Sequence, residues 1–102
     1  MNIEELKAKH GRVFTVIVPL DDEENGQTAT FYLKKPDGTT RKMISKLAGG
    51  NNPEKAVIAG FKALHIGGDA VSILETNEDA LISATDALAE ILTVQKAIIK
   101  KN

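Results

Sequence analysis

Apolar positions cluster most regularly in the last quarter of the chain, and they repeat with a helical period. Leu81, Ile82, Leu88, Ile91, Leu92, Ile98 and Ile99 recur at intervals of three, four and seven, with Ala84, Ala87, Ala89 and Ala97 between them. Such spacing predicts an amphipathic helix over Asn77–Lys101 whose apolar stripe covers a core. Thr76-Asn77-Glu78-Asp79 supplies a side-chain acceptor and acids for the helix start, and Lys96, Lys100 and Lys101 supply cations for its end. No Gly or Pro interrupts it.

Upstream the period changes to two. Arg12–Leu20 is β-branched and predicts a strand, with Val13, Thr15 and Ile17 on one face and Phe14, Val16 and Val18 on the other. A strand apolar on both sides is covered on both sides, or covered on one and open to a partner on the other. Asn25-Gly26 signals a hairpin. Thr28–Lys35 follows as the partner strand, alternating Ala29, Phe31 and Leu33 against Thr28, Thr30, Tyr32 and Lys34, so one of its faces is wet. Pro36-Asp37-Gly38 halts it.

Asn2–His10 reads as a short opening helix ended by Gly11, with Ile3 and Leu6 as its anchors. A second helix is expected from about Thr39 to Ala48, stopped by Gly49-Gly50, with Met43, Ile44 and Leu47 inward. Asn52-Pro53-Glu54 restarts a third that carries Val57, Ile58, Phe61 and Leu64, and Gly67-Gly68 reads as its stop. Ala70–Leu74 is read two ways, as a short third strand or as a connection. The expected fold is α+β: an N-terminal antiparallel hairpin packed with about four helices in a single domain 1–102, with residues 1–36 holding helix plus hairpin and 37–102 the helical part.

Composition narrows the function mainly by exclusion. The chain has no cysteine, which removes disulfides, Cys-ligated zinc and thiol catalysis. His10 and His65 have no ligand at metal-binding spacing, and Asp21–Glu24 lacks the alternation and glycine of a calcium loop. The glycine pairs lack phosphate-loop context, and Ser45, Ser72 and Ser83 lack an accompanying base. The reading is therefore of a protein that is not an enzyme and needs no cofactor. The longest apolar run, Val13–Leu20, is too short for a bilayer, and the acidic N-terminus is unlike a signal peptide. A cytoplasmic protein is the expectation. Lys34, Lys35, Arg41, Lys42 and Lys46 form a basic cluster beside Phe31 and Tyr32, which raises nucleic-acid binding as an alternative. A net charge of −1 and the inward side of Phe31 argue for a solvated basic face instead.

One resemblance reaches further. Phe31-Tyr32-Leu33-Lys34-Lys35-Pro36-Asp37 leads into a helix, then a second helix, the turn Gly67-Gly68-Asp69 and a long last helix. That order resembles small tail-assembly-chaperone-like proteins of tailed bacteriophages and prophages, over Phe31 to the C-terminus. The resemblance implies a non-enzymatic role in tail morphogenesis: holding the aggregation-prone tape-measure protein, recruiting tail-tube subunits, and forming oligomers. A structural virion or head–tail accessory protein is the alternative within the same setting. The surface such a role requires is apolar with a charged rim. Candidate partner-binding residues are Phe14, Val16 and Val18 on the first strand and Ile91, Val94 and Ile98 on the last helix.

Overall fold

The computed structural model describes residues 3–21, 26–50 and 52–94. Helix α1 (Ile3–His10) leads into strands β1 (Val13–Pro19) and β2 (Thr28–Lys34), then helices α2 (Gly38–Ala48) and α3 (Pro53–Leu64). Strand β3 (His65–Gly68), a one-turn helix α4 (Ile73–Thr76) and α5 (Glu78–Val94) complete the order. The fold is α+β, with a three-stranded antiparallel sheet in the order β1-β2-β3 and five helices among the described residues. Residues 22–25, which hold most of the acidic run, lie outside the described residues, as do residues 95–102 with Lys96, Ile98, Ile99, Lys100 and Lys101.

The sheet is two-faced because side chains alternate along each strand. Pairing Val16 with Phe31, Phe14 with Leu33 and Val18 with Ala29 gathers the larger apolar residues on one side. Val16, Val18, Ala29, Phe31 and Leu33 are buried there with Ile44, Val57, Phe61, Leu64, Ala84, Leu88 and Ile91 from the helices. Phe31 and Phe61 meet edge to face, ring centroids 5.5 Å apart at 86°, the arrangement that aromatic quadrupoles favour. The opposite face holds Thr15, Ile17, Thr30 and Tyr32. Leu6 of α1 is buried over it, near Tyr32 and where a Gly67 side chain would sit.

One sequence expectation changes here, and one left open between two readings is decided. The Gly67-Gly68 pair does not stop a helix; α3 ends at Leu64 and the glycines belong to β3, paired with Tyr32 and Phe31. Ala70–Leu74 is not the third strand: it is a turn entering α4. The third strand lies five residues earlier, and Gly68 there adopts φ +87° so close to β2 that a Cβ would collide with the Thr30 carbonyl oxygen. Only a residue without a side chain allows that approach.

Helix starts follow the side-chain acceptors. Asn52 Oδ1 accepts from Lys55 N at 3.1 Å, and Asn77 Oδ1 from Ala80 N at 3.0 Å. Asp37, read from sequence only as a strand breaker, is the cap of α2 and accepts from Thr40 N at 2.7 Å. That bond to the Thr40 backbone and the Thr40 side chain hold the Asp37 carboxyl below its ordinary range. A carboxyl lowered by folding stabilises the fold above its unfolded pKa, and that stability is lost as pH falls through the folded value. Asp37→Asn, which retains a capping oxygen, is therefore expected to match the wild-type melting temperature more closely in acid than at neutral pH. Thermal melts of both proteins across the acidic range check this.

Candidate functional site

Helix α5 lies along β1, and three side-chain hydrogen bonds to main-chain carbonyls fix its ends. Asn77 Nδ2 donates to the Leu20 carbonyl at 2.8 Å, which anchors the start of α5 beside the end of β1. Arg41 donates through Nη1 and Nη2 to the Leu92 carbonyl at 3.0 and 2.8 Å, which ties the far end to α2. The start of α5 lies at the end of β1 and its Ala87–Ile91 stretch beside Arg12–Ile17, so α5 runs antiparallel to β1; at about 1.5 and 3.3 Å per residue the two are of similar length.

Between them lies a cleft of about 420 Å³. Its strand side is Arg12, Phe14, Thr15, Val16 and Ile17, and its helix side is Ala87, Glu90 and Ile91. Arg12 holds its guanidinium 4.8 Å from the centre of the Phe14 ring, a cation–π contact that stiffens the mouth. Strand β1 is an edge of the sheet, so the cleft has two walls and opens along the strand. Such a trough fits a length of polypeptide better than an enclosed small molecule.

The edge itself is chemically active. Leu20 N donates to the Gln27 carbonyl, and Thr30 exchanges bonds with Asp69 on the β3 side. Antiparallel alternation then turns the main-chain groups of Phe14, Val16 and Val18 toward β2 and those of Val13, Thr15 and Ile17 outward. Pro19 falls on an outward position, where a missing N–H costs nothing.

Of the six residues singled out from the sequence, Phe14, Val16 and Ile91 are brought together in this cleft. They are not a free surface: Val16 and Ile91 are buried at 6% and 5% exposure, and Phe14 is half-buried against the core. Val18 is fully internal and does not reach the cleft. The reason is that α5 covers the Phe14–Val16–Val18 face of β1, leaving Thr15 and Ile17 outside. The side chain of Val94 and the whole of Ile98 lie outside the described residues. The sequence missed Arg12, Ala87 and Glu90, residues ordinary by type that only the crossing of α5 over β1 brings to the cleft. It also missed Ile17, exposed at 63% on the outer face.

The other motifs are taken up structurally. Arg41 is withdrawn from the basic cluster by Leu92, and Phe31 is completely buried. His65 Nε2 lies 2.8 Å from the Asp69 carbonyl and packs against Phe31. Among the described residues no three His, Asp or Glu side chains converge as a metal site, and no helix is long and apolar enough to cross a membrane.

Comparisons with known proteins add the fold and no activity. No family model matches the chain, and no curated protein does. The solved structure of an uncharacterised protein, rbstp2171, from Bacillus stearothermophilus is similar, with a TM-score of 0.66. The match covers 98% of this chain and 100% of that one at 20% identity.

Proposed function

We propose that this chain is a phage morphogenesis factor of the tail-assembly-chaperone kind, which binds the tape-measure or tail-tube protein and catalyses nothing. The observation that carries the reading is the cleft between α5 and the edge strand: Phe14 and Ala87, both partly exposed, line it, with Val16 and Ile91 buried beneath and Arg12 and Glu90 exposed beside them. Apolar floor and charged rim together are what a reversible hold on an amphipathic segment requires. The segment order from Phe31 to the last helix, which resembles the chaperone family, supplies the partner's identity. The site of action on this reading is the cytoplasm of the host cell.

Co-expression with the tape-measure protein of the same genome is expected to give a complex that co-purifies through size exclusion. Two soluble proteins eluting separately would contradict the reading.

A further inference from the structure

The two edges of the sheet are built differently. Strand β3 is four residues long, half glycine, and its register with β2 slips between Tyr32 and Leu33. Short, irregular edges of this sort resist pairing with other chains. Strand β1 is neither short nor irregular: seven residues in unbroken register, no Lys, no bulge, a proline only at its last position, and outward main-chain groups at Val13, Thr15 and Ile17.

We infer that β1 pairs antiparallel with β1 of a second copy about a two-fold axis at Thr15, joining two sheets into one. A two-fold interface requires each strand to complement itself, and this one does. With Thr15 opposite Thr15, Val13 meets Ile17 and Phe14 meets Val16, each pair apolar and each formed twice. No charge lies between Val13 and Val18 to oppose its own copy, and Arg12 falls opposite Val18. Pro19, without an N–H, ends the pairing just beyond. Ile17, otherwise exposed, gains Val13 of the second copy as a cross-strand neighbour. Leu6 itself packs over Gly67 and Tyr32 of β3 and β2.

The pairing takes up the strand edge along which the cleft opens and leaves its α5 side, Ala87 and Glu90, to a partner. That division of the surface rests on the proposed binding function; the pairing itself does not.

Light scattering on the chain alone separates the two. The wild type is expected at twice the chain mass at high micromolar concentration. Thr15 is exposed, so Thr15→Lys and Thr15→Glu leave the fold intact and place like charges face to face on the axis. Each alone is expected at the single-chain mass with unchanged circular dichroism, and an equimolar mixture is expected to return to the doubled mass. Ile17→Lys, at another exposed position, should also halve the mass. A wild type that is monomeric, or that gains a strand only from the tape-measure protein, would overturn the inference. So would folded Thr15→Lys or Ile17→Lys at the doubled mass. Failure of tape-measure co-purification with the doubled mass intact would strike the proposed function and leave the pairing standing.

Discussion

Leu88→Asp is expected to leave the chain unfolded at room temperature. Leu88 is 3% exposed and stands where α5 meets α2 and α3. The junction is tight: a Cβ on Gly60 would lie 3.1 Å from both Leu88 Cδ2 and Ile44 Cδ1. A carboxylate there has no route to water, and among the described residues no polar or charged side chain is buried that might pair with it. An uncompensated buried charge costs several kcal/mol, and the lost leucine packing adds about 2–5 kcal/mol. Together these approach the whole stability of a domain this size, about 5–15 kcal/mol. Far-UV circular dichroism should show loss of helix. Ile82→Asp is the control, since Ile82 is 58% exposed and a surface change of that kind falls within about 0.5 kcal/mol. A cooperative, near-wild-type melt for Leu88→Asp would show that Leu88 is not interior.

Gly68→Ala is expected to lower stability by roughly 3 kcal/mol, from about 1–2 for a left-handed residue bearing a Cβ and about 1 for each hydrogen bond disturbed. The new Cβ would collide with the Thr30 carbonyl oxygen and lie 3.1 Å from the Phe31 Cα. Both are backbone atoms in the central strand, so relief requires β3 to move away. Moving it stretches Asp69 N to Thr30 O, now 2.7 Å, and Thr30 N to Asp69 Oδ2, now 2.8 Å. Gly67→Ala one residue earlier is the comparison: its Cβ meets the tip of Leu6 at 3.4 Å, an ordinary contact that a flexible side chain adjusts. Urea midpoints for the two variants should separate clearly. Equal midpoints would mean that Gly68 is not bound to this geometry.

These two positions mark where sequence reading succeeds and stops. Leu88 was legible because a long helix repeats its pattern often enough to identify the stripe, and Ala80, Ala84, Leu88 and Ile91 are all buried. Ile82 belongs to the same apolar pattern, yet it lies two residues from Ala80 and therefore around the helix, in water. The starts of α3 and α5 were legible in Asn52 and Asn77, whose side chains cap the first turn. Strand β3 was not. His65-Ile66-Gly67-Gly68 is too short to show alternation, and backbone pairing with β2 places it, while its glycines carry the same signal as a helix stop.

The candidate site divides in the same way. Both faces of β1 read as apolar, and nothing local says which one α5 covers. That choice is set by Asn77 reaching Leu20 and Arg41 reaching Leu92, contacts across 57 and 51 residues of sequence. From sequence, Phe14, Val16 and Ile91 therefore read as partner-facing residues on separate elements, and only the packing shows that they share one trough. Their burial moves the emphasis to Ala87 and Glu90.

Site-specific photocrosslinking in the co-expressed complex tests the docking claim most directly. A photoreactive residue replacing Ala87, in the cleft, is expected to capture the tape-measure protein. The same residue replacing Glu54, exposed on α3 outside the cleft, is expected to capture none. Capture from position 54 with none from position 87 would contradict the account.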